Sequence, residues 1–128
     1  MTYHFSKTIP LPFDDAISKV TEALKQEGFG VLTEIDVQAT LKKKLNVDFR
    51  KYKILGACNP SSAYEALQAE DKIGTMLPCN VIVQEQADGK VVVSAVDPVA
   101  SMMAIQNPQL AGVAQQVQAK LKRVIDSL

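Results

Sequence analysis

Five side chains of this 128-residue sequence have the types and spacing that could form a chemical site: Cys58, Asn59, Cys79, Asn80 and Asp97. Asn59 and Asp97 each precede a proline. Asparagine and aspartate accept hydrogen bonds from the first N–H groups of a helix, and proline needs no partner at the first helical position. The sequence therefore predicts two helix starts, and their unpaired N–H groups favour a small polar or anionic ligand.

Three predicted strands position these side chains. Residues 54–58 are apolar or small, which is typical of a buried strand, and this strand would end at Asn59. Residues 79–86 and 90–96 predict a hairpin. If the three strands run up, down and up, the end of the first, the start of the second and the end of the third meet at one rim of the sheet. The five side chains are then expected at that rim.

The turn of the hairpin decides which side chains share a face. A three-residue loop with Gly89 in the left-handed region predicts three pairs across the hairpin: Val83 with Val93, Val81 with Ala95, and Cys79 with Asp97. A two-residue loop would set Asn80 opposite Asp97 and bury glutamines against valines. The sequence therefore favours the three-residue loop.

The two cysteines admit three functional interpretations. A helix start just beyond Cys58 would lower the pKa of its thiol and make it a nucleophile or redox thiol. Cys58, Cys79 and Asp97 could bind a soft metal. The two thiols could also form a reversible disulfide if their Cα atoms lie within about 7 Å. Against all three stands the interpretation that the sequence favours, in which both cysteines are small buried hydrophobic residues.

A metal is the weakest of these hypotheses, and no metal ligand is assigned. The chain has one histidine, His4, and strand alternation directs it away from the core. The sequence contains no catalytic triad, no phosphate-binding glycine loop and no metalloprotease helix. No catalytic residue and no cofactor is therefore assigned, and the sequence leaves open whether the protein is an enzyme.

The composition predicts one domain, residues 1–128, of the soluble globular class. Hydrophobic residues make up 47% of the chain, and 14 basic side chains balance 14 acidic ones. The neutral charge and the lack of tryptophan argue against a nucleic-acid partner, and no apolar run is long enough for a membrane span. Two cysteines without a CxxC motif, and no signal-peptide pattern, predict a cytoplasmic protein.

Hydrophobic periodicity predicts the remaining elements. Strands are expected at residues 3–9 and 29–37, and helices at residues 13–28, 39–45, 60–70, 98–106 and 108–128. On the second strand, one face is expected to carry Val31, Thr33, Ile35 and Val37. The inward side chains of the 39–45 helix are expected to be Leu41 and Leu45, and those of the 60–70 helix Ala63, Tyr64 and Leu67.

The strand at residues 54–58 is expected to follow an exposed Lys53. Alternation from Lys53 then directs three residues inward: Ile54, Gly56 and Cys58. A glycine inside a strand also indicates a bulge or a close approach of another segment. We therefore expect Gly56 to lie beside a pocket.

Several short motifs occur in a particular order along the chain: Glu34-Ile35-Asp36, residues 54–60, Leu77-Pro78-Cys79-Asn80-Val81, Asp88-Gly89 and Asp97-Pro98. This ordered set resembles the bacterial and archaeal family known as domain of unknown function 302. The resemblance implies an α+β domain with an antiparallel sheet of about five strands and helices on one face. It also implies the TATA-binding-protein-like order β-α-β4-α and a small homodimer. It brings no established activity, so no catalytic residue is carried over.

The leading functional hypothesis is a small-molecule or anion binding module with its site at the rim of Cys58, Asn59, Cys79, Asn80 and Asp97. A rival hypothesis is a thiol-dependent enzyme or a redox or metal protein that uses Cys58 and Cys79. A third is a structural or interaction domain that binds no small ligand and associates through a sheet face or edge.

Overall fold

The computed structural model describes residues 2–128, which form one antiparallel sheet covered by helices on one face. Its strands are β1 (His4–Ile9), β2 (Gly30–Asp36), β3 (Tyr52–Cys58), β4 (Cys79–Glu85) and β5 (Val91–Val96). Its helices are α1 (Phe13–Gln26), α2 (Val37–Leu45), α3 (Pro60–Ala69), α4 (Pro98–Ser101) and α5 (Pro108–Asp126), and a 3-10 helix covers Ile73–Met76. Over this part of the chain, no helix combines the length and the apolar character that a membrane span requires.

The strands lie in the order β1-β5-β4-β3-β2, and every neighbouring pair is antiparallel. If α2, α3 and α4 are counted as additions, the chain follows the order β-α-β4-α. The predicted α+β class, with helices packed on one face and a TATA-binding-protein-like order, is confirmed.

The core lies between one face of the sheet and the two longest helices, α1 and α5. Strand side chains alternate between faces, and the covered face buries Leu55, Val81, Val83, Val93 and Ala95. The predicted apolar stripe of α5 is confirmed, because its buried residues are Leu110, Val113, Ala114, Val117, Leu121, Val124 and Ile125. Each large side chain buried in this way contributes about 1.5–3 kcal/mol before chain entropy is counted. We call the opposite side of the sheet the open face; it carries half-buried side chains such as Ile54 and Ile82.

The hairpin of β4 and β5 has the predicted three-residue loop. Val83 pairs with Val93 and Val81 pairs with Ala95. Gly89 has a φ of +84°, and its N–H donates to the carbonyl of Gln86 (2.8 Å). Glycine adopts this left-handed backbone without steric cost, so the loop fixes the register that buries the valines.

The face assignment of β3 differs from the prediction. Leu55, Gly56 and Ala57 are the buried residues of this strand. Leu55 pairs with the buried Val81 of the covered face, so Ile54 and Gly56 lie on the open face. The prediction took Lys53 to point into solvent on the open face. In the structure Lys53 is paired with Val83 and therefore lies on the covered face, and its ammonium group reaches out to Glu34 (3.7 Å). A lysine can bury its stem and still place its charge at the surface.

A β-bulge in β2 overturns the prediction that Val31, Thr33, Ile35 and Val37 share a face. Val31 pairs with Ala57, and Thr33 pairs with Gly56, so Leu32 is the extra residue. One extra residue reverses the facing of everything beyond it. Val31 therefore faces the helices, Thr33 and Ile35 lie on the open face, and Val37 already belongs to α2.

Three helices differ in extent or facing from their predictions. α3 buries Ser62 and Ala66, whereas Tyr64 and Leu67 are exposed. α2 begins two residues early because Asp36 accepts from the N–H of Ala39 (2.9 Å) and caps it, and Leu45 lies exposed at its end. α4 ends at Ser101 instead of continuing to residue 106. Apolar side chains alone gave the wrong inward arc for α3, since its packing position is filled by a small polar residue.

Candidate functional site

The end of β3, the start of β4 and the end of β5 lie at the same edge of the sheet. Ala57 pairs with Cys79, and Val81 pairs with Ala95. The same register, continued by two residues, brings Cys79 level with Asp97. The strand directions assumed from the sequence are therefore those of the structure, and the predicted rim exists.

A cavity of about 330 Å³ opens at this rim, and we call it the rim cavity. It lies between the ends of β3 and β4, the bulge of β2, and helices α3, α4 and α5. Its deep walls are apolar and include Phe29, Ala57, Ala66, Val113, Ala114 and Val117. Leu32 and Leu67, which are 68% and 44% exposed, stand at its mouth. Of the predicted site residues, it contains Cys58, Asn59 and Cys79 in its lining, whereas Asn80 and Asp97 lie outside it.

Asn59 is buried, and its side chain joins two helices. Its Oδ1 accepts from the N–H of Ser62 (3.3 Å) and from the hydroxyl of Ser61 (3.1 Å). Its Nδ2 donates to the carbonyl of Glu27, at the end of α1 (3.4 Å). The predicted cap at Asn59 is thus confirmed, and the same side chain also holds α3 against α1.

Asp97 caps α4, as the sequence predicts, and is held from a second side by α5. Its Oδ1 accepts from the N–H groups of Val99 (3.0 Å) and Ala100 (3.4 Å) and from Nε2 of Gln118 (3.0 Å). The next residue, Pro98, is buried and lines the rim cavity. The Asp97 carboxylate is therefore committed to packing α4 against α5, beside the cavity but not in its wall.

Asn80 lies on the open face, because it is one residue removed from the inward-facing Cys79 and Val81 on β4. It pairs with Gly56 and borders a shallow depression on that face, near Tyr52 and Ser94. The structure thus leaves Asn80 out of the lining of the rim cavity. Simple alternation along β4 would have shown this separation.

The two thiols are free and both border the rim cavity. Cys79 faces the helices, and burial, with a smaller contribution from nearby Cys58, raises the pKa of its thiol from 9.0 to about 11. Cys79 is therefore a neutral thiol near pH 7. Alternation from Ala57 puts Cys58 toward the open side of the same strand end. The buried environment of Cys79 is the opposite of the electropositive, partly exposed environment that activates a thiolate.

The soft-metal hypothesis for Cys58, Cys79 and Asp97 gains no support from the structure. Among residues 2–128, no group of three or more His, Cys, Asp or Glu side chains is placed so that it could hold a metal ion. The carboxylate that was expected to complete such a group is bonded instead to Gln118.

Gly56 is not part of the cavity lining, but it allows the close approach that the sequence predicts. A Cβ atom at this position would clash with the Thr33 hydroxyl and would lie 2.8 Å from Cγ of Pro78. Thr33 and Pro78, on either side of Gly56, both line the cavity. The lack of a side chain at Gly56 therefore lets β2 and the start of β4 close over the end of β3.

Sequence reasoning missed most of the cavity wall. Ser62 and Ala66 of α3 carry a detectable signal, since both are small and lie one helical turn apart. The bulge residue Leu32 carries none, because its exposure depends on the register of β2. Val113, Ala114 and Val117 were assigned to the core of α5, and their cavity-facing role depends on where α3 packs.

The comparisons with known proteins agree with this architecture. The family model described as "Domain of unknown function DUF302" matches residues 5–128. The chain is similar to the uncharacterized conserved protein DUF302 from Bacillus stearothermophilus, whose crystal structure superimposes with a TM-score of 0.91 at 28% sequence identity over 98% of each chain. No curated protein matches the chain.

Proposed function

The chain belongs to the DUF302 family, and from this premise we propose that it is a small-molecule binding module whose binding site is the rim cavity. The observation that carries the proposal is the cavity itself, with a volume of about 330 Å³ and mainly apolar walls. Ligand sites in proteins are typically concave, of roughly 300–1,000 Å³, and apolar with a few polar groups.

The position of the rim cavity supports a binding role. Side chains from three strands and three helices converge on it, so its shape is fixed by the sheet and by packed helices. A β-bulge at Leu32 turns an exposed leucine toward its mouth. Bulges are over-represented beside functional sites, where they redirect a side chain.

The polarity of the walls favours an apolar ligand over the polar or anionic one expected from the sequence. That expectation depended on unpaired N–H groups at the two helix starts. In the structure Asn59 and Asp97 accept hydrogen bonds from these groups, so much of the capacity for binding an anion is used internally. The proposed ligand therefore has a mainly hydrocarbon body.

The rival hypotheses receive less support. A neutral Cys79 does not favour a thiol-dependent enzyme or a redox protein. A structural or interaction domain would use the open face or an edge of the sheet, and nothing in the arrangement of that face selects a partner. The homodimer implied by the family resemblance, the absence of a nucleic-acid partner and the cytoplasmic location remain predictions.

The proposal is tested by a substitution that fills part of the cavity. Ala63 lies on α3 in the cavity lining, and Ala63→Phe would occupy part of the space. The matched control is Ala111→Phe, which adds the same ring at an exposed position of α5 outside the lining. The probe is N-phenyl-1-naphthylamine, a neutral dye whose fluorescence rises in apolar surroundings.

We expect saturable binding of the dye by the wild-type chain and by Ala111→Phe, and at least tenfold weaker binding by Ala63→Phe. Circular dichroism melts establish that both variants are folded, because overpacking can itself cost about 1–3 kcal/mol. If Ala63→Phe binds the dye as the wild type does, the site lies elsewhere. If the wild type binds neither the dye nor naphthalene, the proposed function is wrong.

A further inference from the structure

Ser62 is the one polar side chain that α3 buries in the described structure. It lies three residues after the cap Asn59, is only 6% exposed and lines the rim cavity. Its companion on the same face of the helix is Ala66. A hydroxyl thus lies in a mainly apolar wall, whose other polar side chains are those of Thr33, Asn59 and the two cysteines.

The hydroxyl of Ser62 has no hydrogen-bond partner among residues 2–128. The bond that Ser62 makes to Asn59 uses its backbone N–H. Every described side-chain nitrogen or oxygen that is sealed from open space does have a partner. The unpaired Ser62 hydroxyl must therefore touch the open space of the cavity, where a ligand could satisfy it.

The lining of the rim cavity contains no Asp, Glu, Lys, Arg or His side chain. The groups in it that can ionise are the two thiols, Cys58 and Cys79. A charged ligand would give up its hydration without gaining an opposite charge, which is costly in an apolar site. The site therefore favours a neutral molecule.

We propose that the ligand of the rim cavity is a neutral, mainly hydrocarbon molecule that carries one hydroxyl or carbonyl group, and that this group hydrogen-bonds to Ser62 Oγ. A serine hydroxyl both donates and accepts, so an alcohol, a phenol or a ketone satisfies it. This inference rests on the proposed function, and it assigns Ser62 as the residue that determines specificity.

The experiment compares three ligands of one shape: naphthalene, 2-naphthol and 2-naphthoate. Each competes with N-phenyl-1-naphthylamine at pH 7 for the wild-type chain, Ser62→Ala and Ser61→Ala. Ser61 is the matched control, because it is the exposed neighbour on α3 and its hydroxyl bonds to Asn59. Ser62→Ala should fold, since alanine has the highest helix propensity.

We expect the wild type and Ser61→Ala to bind 2-naphthol roughly three- to tenfold more tightly than naphthalene, the net effect of one hydrogen bond. Ser62→Ala should bind the two ligands equally and should keep the wild-type affinity for naphthalene. The carboxylate 2-naphthoate should bind most weakly to all three proteins.

Two results would overturn the assignment of Ser62 and leave the proposed function intact. They are equal affinities of the wild type for naphthalene and 2-naphthol, or a preference for 2-naphthol that survives in Ser62→Ala, in each case with binding still blocked by Ala63→Phe. Tightest binding of 2-naphthoate would overturn the neutral ligand class. If the dye binds and Ala63→Phe blocks it, but none of the three ligands displaces it, the inference fails and the proposed function stands. If the wild type binds neither the dye nor naphthalene, both fail.

Discussion

Two helix starts at the same rim share one local motif but differ in the length of the helix and in the element that the cap contacts. Asn59-Pro60 begins the ten-residue α3, and Asp97-Pro98 begins the four-residue α4. Both polar residues cap their helices. Asn59 also bonds to the end of α1, whereas Asp97 bonds to the middle of α5. The motif specifies the helix cap. The further element that the capping side chain contacts, α1 for Asn59 and α5 for Asp97, determines how each helix packs at the rim.

The consequence for the rim cavity follows from helix length. α3 is long enough to present Ser62, Ala63 and Ala66 to the cavity. α4 presents Pro98 and ends at Ser101, with Met102 beyond it also in the lining. The first helix start thus contributes Ser62, Ala63 and Ala66 to the wall of the rim cavity, and the second closes one side of the cavity.

The largest effect that separates the two starts is expected from removing their caps. Asn59→Ala should lower the free energy of unfolding by about 3 kcal/mol, because it removes a cap and leaves the Glu27 carbonyl without its partner. Asp97→Ala should lower it by about 1 kcal/mol, since a cap on the four-residue α4 stabilises fewer residues than a cap on the ten-residue α3. Urea denaturation of both variants measures the difference. Equal losses would mean that the link from α3 to α1 contributes nothing.

A somewhat smaller effect is expected from Cys79, which lies between the two starts on β4. Burial, and to a lesser degree Cys58, raises its pKa from 9.0 to about 11. An unfolded chain loses this proton near its ordinary pKa, so the folded state holds more protons between these values. Stability is therefore lost as the pH rises from 9 through about 11.

The loss due to Cys79 should reach about 2 kcal/mol at pH 11, since one pKa unit is worth about 1.4 kcal/mol. Urea denaturation between pH 8 and pH 11 measures it. Lysine and tyrosine side chains in general also titrate in this range. The pH dependence of the unfolding free energy of Cys79→Ala is therefore subtracted from that of the wild type. Parallel curves for the two proteins would show that the thiol is not held neutral by the fold.

The smallest effect tests whether the charge of Asp97 matters. Asp97→Asn should change the free energy of unfolding by less than about 0.5 kcal/mol, because asparagine and aspartate are equally good caps and an amide oxygen can still accept from Gln118. Thermal or urea melts at pH 7 measure this change. A loss above about 1 kcal/mol would show that the rim requires a negative charge, contrary to the apolar ligand proposed.

The features that could be predicted from the sequence are those decided by nearby residues. Gly89 fixes the hairpin loop, Asn59 and Asp97 fix helix starts, and the periodicity of α5 fixes its buried stripe. The facing of β3 was wrong because Lys53 carries its charge away from a buried position. Long-range register, such as the bulge at Leu32, has no signal in the local pattern.

The features of the candidate site also fall into those that nearby residues determine and those that depend on long-range packing. The meeting of Cys58, Asn59 and Cys79 followed from strand direction, because the successive strands β3 and β4 run antiparallel. The separation of Asn80 was implied by alternation along β4 and was overlooked. The apolar nature of the cavity depends on Ala66, Val113 and Val117, which come together only when α3 packs against α5.

The bulge at Leu32 has a further consequence, for how the molecule behaves among copies of itself. β2 is an outer strand, and its free side is a row of backbone groups that another chain could extend into a fibril-like sheet. The extra residue at Leu32 breaks the regular spacing of that row, and Glu34 and Asp36 add negative charge beyond it. An incoming strand would lose its hydrogen-bond register after two residues, and this loss protects the chain from edge-to-edge aggregation.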